Sequence, residues 1–158
     1  MKHNRLFALI LASVMVLSLL TACGGEKTQA KDVDLPQLWA SMEENLELPM
    51  MMELGDDELD FLYGINADDL ESYVVRVPMM NVHATEFFLA KVKEGKLDTV
   101  KEALENRQAA LEQQWSMYLP DQYALVQNAK LVTNGNYVLF CVSEDADSVV
   151  SLFNEATA

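Results

Sequence analysis

The chain has 158 residues, with 25 acidic residues against 11 basic ones and a formal net charge of −14. Without residues 1–22, which hold Lys2 and Arg5 and no acid, 9 basic residues stand against 25 acidic ones, a net charge of −16. That balance argues strongly against a nucleic-acid partner, which needs a basic face, and against flat docking on anionic lipid; it favours a solvated exterior and cationic partners.

Lys2, His3 and Arg5 open the chain, and Leu6 to Leu20 follow as 15 apolar or small residues. That run falls short of the roughly 20 residues of a membrane span and reads instead as the apolar centre of a secretory signal peptide. It ends in Leu20-Thr21-Ala22-Cys23, which resembles the bacterial lipobox. Small residues let an extended chain enter a peptidase cleft, and the thiol takes a diacylglyceryl group before the chain is cut. The expectation is a cleaved signal peptide at 1–22 and lipidation at Cys23. A flexible tether over 23–33 should then hold the protein to the extracytoplasmic face of the cell membrane. Two acyl chains suffice for stable anchoring where one is marginal.

Residues 34–158 are enough for a single α+β domain with its own core. Leu35, Leu38, Trp39, Met42 and Leu46 recur at helical spacing, with Pro36 in the first turn. "LPMMMEL" reads as extended and methionine-rich. "GDDELDFLYG" predicts a short helix with acids in its first turn and Gly64 as C-cap, and Asn66 caps another helical turn. Strands are expected over Tyr73–Val77 and Thr85–Lys93, joined by "PMMNVHA". The Glu94-Gly95 turn leads into a long helix from Leu97 to Tyr118. Its apolar stripe of Leu97, Val100, Leu104, Leu111, Trp115 and Tyr118 is interrupted by Arg107 and Gln108. Pro120 redirects the chain into a further helical segment. "KLVTNGNYVLFCVS" predicts a hairpin about Asn134-Gly135 in a type I′ turn, and Asp147–Ala156 a closing helix.

"FFLAKVKEGKLDTVKEALEN" aligns weakly with "YVLFCVSEDADSVVSLFNEA", matching Phe87 with Tyr137, Leu89 with Leu139 and Val92 with Val142. The expected architecture is therefore ββα-ββα: a four-stranded, mainly antiparallel sheet with two main helices on one face, behind a helical N-terminal segment. The second and fourth strands are apolar on both sides, so something must cover the second face. The N-terminal helix with Trp39 and Met42 is one candidate; a partner or a second copy of the chain is the other.

Chemistry is sparsely signalled. His83, the one histidine after residue 22, could act as a base beside Glu86 or lie at a strand edge. No nucleophile sits in a recognisable elbow, and no glycine-rich phosphate loop occurs. The acids Asp56-Asp57-Glu58-Asp60 and Asp68-Asp69-Glu71 lack calcium-loop spacing and suit helix starts. Cys141, inside a strand-like run, reads as a small buried hydrophobe. Met50-Met51-Met52 and Met79-Met80 are core filling or an adaptable contact surface. These residues give no catalytic group, cofactor or metal ligand.

The segment from "MMELGDDELDFLYGINADDLESYVV" through "YLPDQYALVQNAKLVTNGNYVLFCVSEDAD" resembles a family of small lipoproteins of Gram-positive anaerobes defined only as a domain of unknown function. The likeness spans nearly all of residues 50–155. It is marked by Leu62-Tyr63-Gly64-Ile65, Ala84-Thr85-Glu86, the "EGK" turn and "NAKLVTNGNYVLF". The resemblance implies a secreted, lipid-anchored α+β domain and carries over no catalytic residue. The expected function is a lipid-tethered binding or interaction module for a protein or peptide, or one that self-associates through an apolar sheet face. The alternatives are a cell-envelope hydrolase and an acidic cation-binding domain.

Overall fold

The computed structural model describes residues 32–158; the expected signal peptide, Cys23 and most of the tether lie outside them. In chain order the elements are α1 (Leu35–Glu43), β1 (Met51–Glu53), α2 (Asp56–Tyr63), a 3-10 turn (Ala67–Asp69), β2 (Leu70–Pro78) and β3 (Glu86–Val92). Then follow α3 (Leu97–Trp115), α4 (Pro120–Gln127), β4 (Lys130–Asn134), β5 (Tyr137–Val142) and α5 (Ala146–Thr157). The strands form one sheet in the order β1-β2-β3-β5-β4, and every pairing is antiparallel.

Local signals set most boundaries. Asp34 caps α1 by accepting from the backbone N–H of Gln37 at 3.0 Å. At α2, Glu58 reaches back to the Gly55 N–H at 3.0 Å, satisfying a donor that the first turn leaves open. Gly64 then ends the helix in the left-handed region at φ 64°, where a Cβ would be strained. Asn66 caps the 3-10 turn by accepting from Asp68 N–H at 2.8 Å.

Three expectations need correction. The sheet has five strands, because "MMMEL" supplies the edge strand β1, with Met51 opposite Pro78 and Glu53 opposite Arg76. The hairpin loop is Gly135-Asn136, since Asn134 pairs with Tyr137. Among the non-glycine residues described, positive φ occurs only at Leu119, so of the two loop residues Gly135 alone has it, at 59°. That is the pattern of a type II′ turn and not type I′. Asn134 serves the strand instead, and its Nδ2 donates to Asn154 Oδ1 at 2.9 Å and Thr157 Oγ1 at 2.8 Å, tying the hairpin to α5.

The third correction concerns the helices, which lie on opposite faces of the sheet. Phe88, Ala90, Val138 and Phe140 pack with Val100, Leu104 and Leu111 of α3 and with parts of α2 and α4. On the other face, Phe87, Leu89, Leu139 and Cys141 pack with Val149 and Phe153 of α5 and with Leu38, Trp39 and Met42 of α1. The repeat holds for the strands: Leu89 faces Leu139, and Phe87 faces Cys141 as Lys91 faces Tyr137. A two-fold axis through the Leu89–Leu139 pair would keep both helices on one face, so the helices break the symmetry that the strands keep. All of β5 is buried, and both faces of the central pair need a cover to bury large side chains at about 1.5–3 kcal/mol each. One helix goes to each, and α1 completes the second face. Both sheet faces are thus covered by the chain's own helices.

Asp32 and Val33, at the end of the expected tether, sit against the domain. Asp32 pairs with Lys91 Nζ at 3.0 Å, and Val33 N–H donates to the Tyr137 hydroxyl at 2.9 Å.

Candidate binding site

The end of the sheet where β2 stops and β3 begins gathers most of the unusual chemistry. Glu86 is the first residue of β3 and shares the face of Phe88 and Ala90, which puts its carboxylate beneath α2 and α3. Arg107, the interruption in the stripe of α3, meets it there. Arg107 Nε donates to Oε1 at 3.0 Å and Nη2 to Oε2 at 2.8 Å. Tyr63, the last residue of α2, donates its hydroxyl to Oε1 at 2.7 Å, and the guanidinium carbon lies 5.2 Å from the centre of its ring. The side chains are 3% exposed for Glu86 and 14% for Arg107, so this is a buried ion pair with its hydrogen bonds made.

Burial, and then the adjoining Glu86 carboxylate, pushes the Tyr63 hydroxyl well above its ordinary range. Burial works against the charge on Arg107, but the hydrogen bonds and charge of Glu86 outweigh it, and the guanidinium holds its proton more firmly than usual. Glu86 accepts three hydrogen bonds, all from Tyr63 and Arg107. Of the two readings of His83, pairing with Glu86 is not formed, and the His83 side chain makes no hydrogen bond among the described residues.

Beside the ion pair opens a cleft of about 320 Å³, lined by Leu62, Met79, Met80, Leu111 and Trp115 together with Glu86, Arg107 and His83. Its rim is soft and exposed: Met79 and Met80 are each 58% exposed, and Met50 accepts the Met79 N–H at 2.8 Å, which brings the two methionine groups together. Tyr118 stacks on Trp115 with ring centres 5.9 Å apart, and Tyr118 and Leu119 are exposed. The Trp115 indole N–H is buried without a hydrogen-bond partner, the one such side-chain atom among the described residues. An unmade buried hydrogen bond costs about 1–3 kcal/mol. Leu119 holds φ at 49° immediately before Pro120, a backbone state costing about 1–2 kcal/mol for a residue with a Cβ. Trp115, with its unpaired indole N–H, lies on the wall of this cleft, while Leu119 lines a neighbouring one with Val82 and Tyr118.

The remaining candidates fall elsewhere. Asp56, Asp57 and Glu58 occupy the first turn of α2, as helix-start acids should. Asp69 pairs with Lys96 at 2.8 Å and Glu71 with Lys91 at 2.9 Å. Among the described residues no group of three or more histidine, cysteine or acidic side chains is placed to hold a metal. Cys141 is fully buried in β5, and burial pushes its thiol up to about 12. No helix among the described residues is long and apolar enough to cross a membrane.

Arg107 and Tyr63 are the site residues that the sequence did not single out as chemical. The available signal was a guanidinium on an otherwise apolar helical stripe, which demands a buried acid as partner.

No curated protein and no solved structure matches the chain. A family profile, described as Domain of unknown function (DUF4358), matches residues 44–143, from the end of α1 to the end of β5, and takes in Tyr63, Glu86, Arg107 and the whole methionine-rimmed cleft. The chain belongs to the DUF4358 family.

Proposed function

We propose that the protein is a lipid-anchored binding module on the extracytoplasmic face of a bacterial membrane, held by a diacylglyceryl group on Cys23. It engages a protein or peptide partner with the methionine-rimmed end of its sheet. The lipobox-like Leu20-Thr21-Ala22-Cys23 and the basic and apolar run before it support the anchor. One observation supports the binding reading above others. The sheet faces are sealed by helices, yet Met79 and Met80 stay exposed on the wall of an open cleft. Methionine side chains adapt to varied partner surfaces, and a buried ion pair holds the cleft wall in place.

The test has two arms. Cys23→Ser should move the protein from the membrane fraction to the medium or to an unprocessed precursor; unchanged membrane association by a mature-length chain contradicts the anchor. Met79→Asp with Met80→Asp should leave the melting temperature unchanged and abolish the complex recovered by crosslinking on intact cells. A complex that survives this charge insertion contradicts the site.

A cell-envelope hydrolase is the second reading, because His83, Ser143 and Asp145 line one cleft. Ser143 Oγ accepts from the Asp145 backbone N–H at 3.1 Å, and no hydrogen bond joins it to His83. If His83→Ala leaves intact the cellular phenotype that gene deletion abolishes, a histidine-dependent enzyme is excluded.

A further inference from the structure

His83 also forms part of a larger and chemically different cleft, of about 970 Å³, between the α1–β1 connection and the ends of β3 and β5. Continuing the register of Glu86 with Val142 by one residue sets Thr85 opposite Ser143. Both are buried, at 9% and 8% exposed, and both line this cleft. The Thr85 hydroxyl makes no hydrogen bond among the described residues and is not a fully buried atom, so it is open to the cleft. Ser143 Oγ accepts from Asp145 N–H and keeps its own proton unspent. Gln122 uses Oε1 to accept from Ala84 N–H at 2.8 Å, which fixes its side chain at the wall.

The charge around these hydroxyls has one sign. Glu47, Glu144 and Asp145 line the cleft, no lysine or arginine does, and none of the three is in an ion pair among the described residues. These acids form no group placed to hold a metal ion. A compact divalent cation therefore has no matching shell. An ammonium group has three directed protons, and it suits hydroxyl acceptors flanked by dispersed carboxylates.

We propose that this cleft receives an organic ammonium group, the side chain of a lysine on a partner polypeptide. The inference rests on the binding-module reading and gives its ligand a chemistry. A polypeptide is favoured over a free amine because His83 joins the acidic cleft to the methionine-rimmed one, so a single segment can present a cation to one and an apolar side chain to the other.

The experiment is titration calorimetry on the full-length chain in detergent micelles. The probes are the blocked tetrapeptide Gly-Lys-Leu-Gly, its counterpart with norleucine for lysine, and putrescine. The lysine peptide should bind about tenfold or more tightly than the norleucine peptide, with the difference shrinking as salt rises. Thr85→Val and, separately, Glu144→Gln should each weaken the lysine peptide and leave the norleucine peptide unchanged. Glu144 is exposed, so its substitution does not put folding at risk. Equal affinity for the two peptides, or no binding of the lysine peptide at millimolar concentration, overturns the ammonium assignment. It leaves the methionine rim to be judged by the cellular crosslinking above. Putrescine binding as tightly as the lysine peptide overturns the assignment to a polypeptide.

Discussion

Arg107 holds both carboxylate oxygens of Glu86, at 3.0 and 2.8 Å, although the two residues are 21 positions apart on different elements. The pair fixes the middle of α3 to the start of β3, and Tyr63 adds α2 through the same carboxylate. Removing one partner of a buried pair strands the other charge, at about 3–5 kcal/mol. Arg107→Ala should lose that much stability in urea unfolding. The triple replacement Tyr63→Phe, Glu86→Leu, Arg107→Met removes every polar group together and should recover most of the loss. A triple variant no more stable than Arg107→Ala would mean that the network's geometry, and not charge burial, sets the cost.

Asn134 links the hairpin to the C-terminal helix through two side-chain hydrogen bonds. Asn134→Ala should cost about 1–3 kcal/mol, a net value of about 1 kcal/mol per bond. Hydrogen exchange should show the last turn of α5 opening more readily while α3 keeps its protection. Uniform loss of protection across both helices would argue against a local tie.

Leu119 is the one non-glycine residue with positive φ among the described residues. Leu119→Gly removes the Cβ conflict at a position 37% exposed, so little packing is lost. The variant should be more stable by about 1 kcal/mol, the strain relieved less the added freedom of the unfolded chain. Thermal unfolding checks the sign, and a lower melting temperature would show that the side chain matters more than the backbone state.

The Cys141 thiol is raised from 9.0 to about 12 by burial. A raised folded value favours the folded state below pH 9, and that stability is lost as pH climbs from 9 toward 12. At pH 10 the unfolded thiol is mostly ionised and the buried one is not, a loss of about 1.4 kcal/mol relative to pH 8. Cys141→Val should flatten this part of the pH–stability curve, read by urea unfolding at the two pH values.

What the sequence disclosed follows the range of the forces involved. Gly64, Asn66 and Pro120 announce helix ends because caps and ring constraints act within a few residues. The apolar character of β3 and β5 on both sides showed that a second cover was needed, and α1 supplies part of it. β1 stayed hidden because Met51–Glu53 is short and its pairing with Arg76–Pro78 is non-local. The turn slipped by one residue because Asn134-Gly135 and Gly135-Asn136 are both good turn pairs, and the choice was made by cross-strand register. The face taken by each helix depends on connection geometry that no spacing encodes. In the site, His83 and Glu86 drew notice as titratable neighbours, while the partner of Glu86 came from a helix 21 residues away.

On the proposed function, the methionine-rimmed end binds a partner outside the membrane. The most direct test places a photo-crosslinking residue at Met80 on intact cells, with Glu102, on the exposed side of α3, as control. Binding there should give one discrete adduct from Met80, none from Glu102, and loss of the adduct when Met79→Asp is added. No adduct from Met80, or the same adducts from both positions, would contradict it.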